Sequence, residues 1–290
     1  MHTPIQMSES SRVTKGVYLS VIVPVWNGAD QLSTTLGELL DFIQTREYSV
    51  ELILANDGSG VEATRLLHDF AAANPATVVL RNLPHRGKGS SIAGAMQSAR
   101  GHFRVFIDAD LAYPVVEIEK LLHELENGSD VVIACRVHPD SRYVMSPRFF
   151  RYMYTRHVMS RVLNSAVRAL LLPSLLDTQA GLKGFTARAA ELIFPHITIP
   201  GFGFDLECLY IAHANWLRIT QIPVLFRYDH EVSSFRFLKD SVTILTDILR
   251  VRSRGWLGAY TVPESAAPSK ITPANTIPLL PSADPEAVGE

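Results

Sequence analysis

The sequence lacks several features that would assign it at once to a class of protein. Its 290 residues include only two cysteines, Cys135 and Cys208, which lie far apart and match no metal-ligand spacing. We therefore expect two buried core thiols in a reducing compartment. The formal net charge is only −2, which argues against a general nucleic-acid binder.

Long apolar runs are also missing. No stretch reaches the roughly eighteen consecutive apolar residues of a membrane span. Residues 1–18 are polar and lack the apolar centre of a signal peptide. The sequence thus predicts a cytoplasmic protein that is soluble or peripheral on the inner face of a membrane, with no transmembrane span.

Two common nucleotide-binding loops are absent as well. No G-x-G-x-x-G follows the first predicted strand, and no G-x-x-x-x-G-K-[ST] occurs anywhere in the chain. Rossmann-type redox chemistry and P-loop chemistry therefore both lose support.

What the chain does contain is an alternation of short apolar runs and helical patterns. The run at 19–25 is continuous and rich in β-branched residues, which is typical of a strand buried on both faces of a parallel sheet. Further strands are predicted at 50–55, 78–81, 105–107 and 130–134. This order predicts an α/β fold with a mainly parallel, doubly wound sheet flanked by helices. Ligands of such sheets bind at the carboxyl ends of the strands.

The second half of the chain has a less regular pattern. We interpret 177–185 as a polar turn, 217–226 as one further strand, and 237–251 as an amphipathic helix. The predicted globular domain spans 19–255. Residues 1–18 and the Pro-rich stretch 256–290 are expected to be disordered tails.

Two carboxylates end the fourth predicted strand. Asp108 and Asp110 are spaced one residue apart, so in extended chain they share a face. At a strand end the pair can hold one Mg²⁺ or Mn²⁺, a cation that usually completes its shell with phosphate oxygens of a substrate. The alternative is an ordinary polar turn, because aspartate is common in turns.

Two further polar stretches each have two interpretations. The Gly-rich turn Arg86-Gly-Lys-Gly89 precedes a helix, whose amino end favours an anion, or it is a plain turn with solvated cations. Asp205 near the start of a predicted helix is either a cap that complements the helix dipole or a catalytic carboxylate.

The stretch from Ser141 to Leu176 contains no Asp or Glu but six arginines: Arg142, Arg148, Arg151, Arg156, Arg161 and Arg168. A basic amphipathic helix with bulky apolar residues is typical of an element that contacts an anionic membrane surface. Equally, it fits a helix that packs its apolar stripe on the sheet.

Eight motifs occur in the order in which one known family carries them: Ser20-Val-Ile-Val-Pro, Asn56-Asp-Gly-Ser, Arg86-Gly-Lys-Gly, Asp108-Ala-Asp-Leu-Ala, Arg136, Ser141-Arg142, Asp177-Thr-Gln-Ala-Gly-Leu-Lys-Gly-Phe and Gly203-Phe-Asp-Leu-Glu. Together they resemble the family 2 glycosyltransferases of GT-A fold. Among these, the chain is most similar to polyprenyl-phosphate sugar transferases of the dolichyl-phosphate β-glucosyltransferase type, over about residues 19–252.

The resemblance implies two halves, a nucleotide-sugar-binding half at 19–135 and an acceptor-binding half at 136–255. It implies transfer of a hexose, most readily glucose, from a UDP-sugar, with GDP-sugar as a second possibility, to a polyprenyl phosphate. The implied site residues are Pro24, Trp26, Asn56, Asp57 and Lys88 for the nucleotide, Asp108 and Asp110 for the metal and diphosphate, Arg136, Ser141 and Arg142 for the acceptor phosphate, and Asp177, Gln179 and Asp205 near the transferred sugar.

The chain departs from the family pattern in three ways. Asn56 stands where many relatives have Asp, Ala180 replaces a usual Cys, and the transmembrane helices of many relatives are missing. The last departure leaves two acceptors open: a lipid reached through the basic segment 141–176, or a soluble small molecule. A protein that binds nucleotide sugar or lipid phosphate without catalysis is a third alternative.

Overall fold

The structure is a computed structural model that describes residues 16–145, 164–228 and 237–261. The strands are β1 (Leu19–Val25), β2 (Val50–Asp57), β3 (Val78–Leu83), β4 (Phe103–Ile107), β5 (Val131–Ala134), β6 (Arg142–Met145), β7 (Leu182–Thr186), β8 (Ile219–Ile222) and β9 (Leu225–Tyr228). Seven of them form one sheet in the order β3-β2-β1-β4-β7-β5-β8, and β6 pairs with β9 in a second sheet.

The helices are α1 (Ala29–Gln44), α2 (Val61–Ala73), α3 (Lys88–Ser98), α4 (Glu117–Glu126), α5 (164–170), α6 (Ala187–Ile193), α7 (Phe204–Ala214) and α8 (Phe237–Trp256). They cover both faces of the large sheet. The buried apolar side chains accordingly form two clusters. Val21 and Val23 belong to one cluster and Ile22 to the other. The prediction that β1 is buried on both faces is thereby confirmed.

The sheet topology brings several strand ends to one edge. β1 runs parallel to β2 and to β4, so the carboxyl ends of these three strands lie side by side. β7 runs antiparallel between β4 and β5, with Leu182 opposite Ile107. The amino end of β7 therefore lies beside the carboxyl ends of its neighbours, and the loop before β7 reaches the same edge.

Two details of the predicted strand pattern were wrong. The stretch predicted as a turn at 177–185 contains most of β7, a central strand whose Lys183 is fully buried. The single strand predicted at 217–226 is instead two strands, because Pro223 has no amide hydrogen for a ladder and the chain changes sheets there. β8 pairs with β5 in the large sheet, whereas β9 pairs with β6.

Other predictions concern the cysteines, the basic segment and the tails. Cys135 and Cys208 are buried free thiols, as expected. Most of the predicted basic helix, including Arg148, Arg151, Arg156 and Arg161, lies outside the described residues, as do 1–15 and 262–290. The described chain continues past 255 to buried Tyr260, whose hydroxyl donates to Glu207 Oε1 at 2.7 Å. None of the described helices has the length and hydropathy needed to cross a membrane.

Candidate active site

The acidic pair lies in a tight turn directly after β4. The Leu111 amide donates to the Asp108 carbonyl at 3.1 Å, and the Ala112 amide donates to Asp110 Oδ1 at 3.1 Å. Leu111 has a φ of 45°, a left-handed conformation that is strained for a residue with a branched side chain. The turn thus holds both carboxylates at the sheet edge, with Asp108 partly exposed and Asp110 exposed.

Lys88 connects the Gly-rich turn to this pair. Its Nζ lies 2.6 Å from Asp108 Oδ1, and only 18% of its side chain is exposed. Burial opposes the charged ammonium, but Asp108 and then Asp205 outweigh burial, so the pKa of Lys88 is raised. The interpretation of this turn as one with solvated cations was therefore wrong for Lys88, which is a fixed positive charge beside Asp108.

Gly181 makes room for the Asp108 side chain. Its carbonyl accepts the Asp108 amide at 3.1 Å, and a Cβ at position 181 would lie 1.9 Å from Asp108 Oδ2. Any side chain at this position would have to displace that carboxylate. The loop before β7 therefore fixes the position of Asp108.

A buried ion pair lies beneath the edge. Lys183 is fully buried, and its Nζ lies 2.5 Å from Asp205 Oδ1 and 2.6 Å from the Ala180 carbonyl oxygen. Burial raises the pKa of the Asp205 carboxyl, although Lys183 and then Lys88 act in the opposite direction. Asp205 lies in the first turn of α7, where a carboxylate complements the helix dipole as the alternative expected, but it makes no cap hydrogen bond, and the cap residue is Gly203.

Arg136 and Asp177 form a second fixed pair. The Arg136 Nε lies 2.7 Å from Asp177 Oδ2, Nη2 lies 2.9 Å from Oδ1, and the Arg136 amide also donates to Oδ2 at 3.0 Å. Burial would raise the pKa of Asp177, but Arg136 outweighs it and the pKa is lowered. Asp177 is therefore a carboxylate at neutral pH. The Gln179 amide donates to its Oδ1 at 3.3 Å, which places Gln179 in the same loop.

The predicted nucleotide residues after β2 are engaged with the protein itself. Asp57 accepts the amides of Arg86 and Gly87 at 2.9 and 3.0 Å, and its Oδ2 lies 2.9 Å from His85 Nδ1. Asn56 donates to Asn82 Oδ1 at 2.8 Å and accepts the Ser59 amide at 3.0 Å. Both side chains are buried. The contacts of Asp57 hold the loop at 85–87 in place, whereas those of Asn56 connect the end of β2 to Asn82 in β3 and to Ser59.

An aromatic surface lies at the end of β1. The Trp26 ring stacks on His85 with centroids 4.9 Å apart and an interplanar angle of 16°, and 49% of Trp26 is exposed. Pro24 is half-buried two residues earlier in β1. Trp26 therefore presents a flat, accessible face of the kind on which a nucleobase stacks.

The predicted acceptor residues Ser141 and Arg142 lie next to the small sheet. Ser141 Oγ donates to the Cys135 carbonyl at 2.7 Å and accepts the Val224 amide at 3.0 Å, so its contacts connect the residue after β5 to the residue before β9. Arg142 is exposed and lines a cavity of about 400 Å³. The other residues that line this cavity are Glu117, Lys120, Asp140, Pro223, Val224 and Leu225.

The donor set for a metal consists of the two carboxylates after β4. No group of three or more His, Cys, Asp or Glu side chains within the described residues is arranged to hold a metal. Two adjacent carboxylates nevertheless suit Mg²⁺ or Mn²⁺, since such ions are usually held by one or two protein carboxylates and by substrate phosphates. Asp108 and Asp110 fit that pattern at an exposed edge.

Three residues of this region were not predicted from the sequence. Lys183 was passed over because it was taken for part of a turn, and the flanking Gly181 and Gly184 favoured that interpretation. Gly181 has no signal of its own, because its role depends on contact with Asp108. Tyr113, three residues after Asp110, was given no role.

Solved structures with a similar architecture identify the fold. Glucosyl-3-phosphoglycerate synthase from Mycobacterium tuberculosis, in complex with Mn²⁺, UDP and glucosyl-3-phosphoglycerate, has a TM-score of 0.57 at 20% identity over 82% of this chain and 81% of that one. The same enzyme with Mn²⁺, UDP-glucose and glycerol 3-phosphate has a TM-score of 0.56 at 22% identity over the same shares of the two chains. The present fold is accordingly the GT-A fold, as predicted.

Sequence comparison then identifies the family. The profile described as "Glycosyl transferase family 2" matches residues 20–192. The chain belongs to this family and is a glycosyltransferase, which confirms the resemblance. A dolichyl-phosphate β-glucosyltransferase from Dictyostelium discoideum is 29% identical over 88% of this chain and 80% of its own length. The Homo sapiens protein of that name is 28% identical over 85% and 78%.

Proposed function

We propose that the protein transfers glucose from UDP-glucose to a polyprenyl phosphate, with inversion at the anomeric carbon and with the help of Mg²⁺ or Mn²⁺. The observation that carries the proposal is the convergence of an acidic pair, Asp108 and Asp110, with two cations, Lys88 and Arg136, at one sheet edge. Relatives named dolichyl-phosphate β-glucosyltransferases support the choice of sugar and acceptor.

On the donor side, Asp108 and Asp110 would hold the metal, which when bound stabilises the negative charge that develops on the leaving nucleoside diphosphate. Lys88 adds a positive charge at the same place and stays protonated, because its pKa is raised. Trp26 offers a stacking face for the base. Asp57 contributes by fixing the loop that carries Lys88.

On the acceptor side, the nucleophile needs little activation. A phosphomonoester has a second pKa of about 6 and is anionic at neutral pH. It can attack the anomeric carbon once it is positioned in line, so orientation matters more than proton removal. Arg136 and Arg142 supply guanidinium groups for that phosphate. Asp177 stays ionised beside Arg136, which excludes it as a proton donor at neutral pH.

The donor and the stereochemistry are tested together with a short-chain, water-soluble prenyl phosphate as acceptor. We expect UDP-glucose with Mn²⁺ to give a prenyl-phosphate glucoside, and the anomeric proton to show the β configuration by NMR. Preference for a GDP-sugar, or an α product from the α-linked donor, would refute the corresponding part of the proposal. Turnover only with a small phosphorylated acid as acceptor would favour the soluble-acceptor alternative.

Arg142→Ala is expected to affect the acceptor selectively. Loss of a guanidinium–phosphate contact should raise the KM for prenyl phosphate by about tenfold or more, because hydrogen bonds to charged groups are the stronger ones. The KM for UDP-glucose should stay within about twofold, since the cavity that Arg142 lines includes none of the predicted nucleotide or metal residues. Arg65→Ala, an exposed arginine on α2, is the matched control. Equal losses for donor and acceptor would contradict the assignment.

The lipid acceptor requires access to a membrane, and α8 offers a surface for it. Leu245, Leu249 and Trp256 repeat at helical spacing and are 47%, 65% and 76% exposed. Residues 248–261 contain three arginines and no acid. One of these, Arg252, lies 5.1 Å from the centroid of the Trp256 ring. Exposed apolar residues with arginines suit the interface of an anionic bilayer. Docking by the basic segment around Arg151 also stays a prediction.

Vesicle flotation checks the docking role of α8. The double variant Leu249→Ala/Trp256→Ala should lower the partition onto vesicles that contain phosphatidylserine by on the order of tenfold or more, because the apolar area available for burial falls. Trp216→Ala is the matched control, since Trp216 is 92% exposed but lies after α7. Flotation that is the same for the wild type and the double variant would overturn this role for α8.

A further inference from the structure

The side chain of Tyr113 is buried without a partner for its hydroxyl. Only 2% of the residue is exposed, and within the described parts of the chain no group makes a hydrogen bond to Oη. Among the described residues, Glu117 Oε2 is the other buried polar side-chain atom without a hydrogen bond. It forms an ion pair, however, because it lies 2.8 Å from Lys120 Nζ. Buried polar groups are hydrogen-bonded in the great majority of cases, so the Tyr113 hydroxyl calls for an explanation.

Tyr113 lies between the acidic pair on the proposed donor side and Arg136 on the proposed acceptor side. Tyr113 follows the strained turn that carries Asp108 and Asp110. Strand β9 contacts this region through the Arg227 amide, which donates to the Ala112 carbonyl at 2.7 Å. The Tyr113 ring packs edge-on against Phe226 at 5.1 Å. The guanidinium of Arg136 lies over the same Phe226 ring at 5.8 Å.

The charged groups that act on the Tyr113 phenol are the same ones that form the candidate active site. Burial raises the pKa of Tyr113 well above its usual value; Arg136 opposes this, while Asp177, Asp108 and Asp110 add to it. The hydroxyl is therefore a neutral donor throughout the physiological pH range. A hydroxyl that lies among carboxylates but bonds to none of them is free to donate to an anion that enters from outside.

We propose that Tyr113 is a substrate-binding residue whose hydroxyl donates a hydrogen bond to a phosphate oxygen at the reaction centre. The shared chemistry is a phosphate oxygen, which belongs either to the donor diphosphate beside Asp108 and Asp110 or to the acceptor phosphate beside Arg136. The inference deepens the proposed function and rests on it. The Tyr113 hydroxyl adds a neutral hydrogen-bond donor to a set of charged groups. Burial and packing against Phe226 have already desolvated and oriented this hydroxyl.

Tyr113→Phe tests the inference cleanly. The variant removes only the hydroxyl and keeps the ring that packs on Phe226. Because no protein group loses a hydrogen bond, the melting temperature should be unchanged or higher. We expect kcat/KM to fall by about 10- to 100-fold, as for the loss of a hydrogen bond to a charged group. A rise in KM for UDP-glucose alone assigns the contact to the donor, and a rise for prenyl phosphate alone assigns it to the acceptor.

Tyr48→Phe is the control with the opposite expectation. The Tyr48 hydroxyl donates to Glu119 Oε1 at 2.9 Å, so its loss should lower the melting temperature and leave kinetics unchanged. Binding of UDP with Mn²⁺, and of prenyl phosphate, is measured alongside turnover. If the wild type binds these ligands but transfers no glucose, the proposed function fails, while weaker binding by Tyr113→Phe still supports the hydroxyl contact. Binding and turnover within twofold of the wild type overturn the inference.

Discussion

Asp110→Asn is expected to lower kcat/KM for the proposed glucosyl transfer by about 100-fold or more, because a metal held by Asp108 and Asp110 would supply several kcal/mol of charge stabilisation in the transition state. The amide is almost the same size as the carboxylate, and its oxygen can still accept the Ala112 amide. The turn after β4 should therefore persist. What changes is the negative charge available for Mg²⁺ or Mn²⁺.

Initial rates over a range of Mn²⁺ concentrations measure this effect, and we expect higher Mn²⁺ to recover part of the lost activity. Asp69→Asn is the matched control, because Asp69 is an exposed acid on α2 and the same charge is removed there. Full activity of Asp110→Asn at low Mn²⁺ would show that Asp110 is not a metal ligand.

Lys183→Met is expected to lower the free energy of unfolding by about 3–5 kcal/mol, the usual penalty for leaving one partner of a buried ion pair alone. Lys183 is fully buried, and only 5% of the Asp205 side chain is exposed. Methionine preserves the length of the side chain but offers no charge to Asp205. Chemical denaturation at neutral pH gives the difference directly.

The pH dependence identifies Asp205 as the source of that loss. Without Lys183 the pKa of buried Asp205 rises further above its unfolded value, so the variant loses stability as the pH rises through the folded pKa. The deficit should therefore shrink as the pH is lowered toward about 4. Lys183→Met/Asp205→Leu should recover most of the stability. Arg46→Met, which breaks a more exposed pair, is the control. A deficit independent of pH would contradict the explanation.

Strands β1, β2, β4 and β5 were predictable because their apolar runs are buried on both faces, and the partly exposed edge strand β3 was predictable from its short apolar run. β7 was not, and Lys183 is the reason. A lysine in the middle of a short segment is typical of a surface turn, and only the distant carboxylate of Asp205 makes its burial possible. Because β7 was missed, the sequence also did not predict that an antiparallel strand brings Asp177 and Gly181 to the edge beside Asp108.

The sequence named candidate residues for the site but not the contacts between them. The spacing of Asp108 and Asp110 left a metal pair and an ordinary polar turn both open, and the ordered motifs favoured the metal pair through resemblance. Pairings in space were not predictable: the sequence does not show that Arg136 holds Asp177 or that Lys88 lies on Asp108. Nor does it show that Asn56 and Ser141 are engaged in hydrogen bonds, or that the buried Tyr113 hydroxyl has no hydrogen-bond partner among the described residues.

The most direct test of the account is transfer of radiolabelled glucose from UDP-glucose into long-chain polyprenyl phosphate with Mn²⁺, followed by organic extraction. We predict that label enters the organic phase with the wild type, that it depends on the metal, and that it falls by about 100-fold or more with Asp110→Asn. Label that stays in the aqueous phase while UDP-glucose is consumed would contradict the lipid acceptor. Equal extraction with Asp110→Asn would contradict the site.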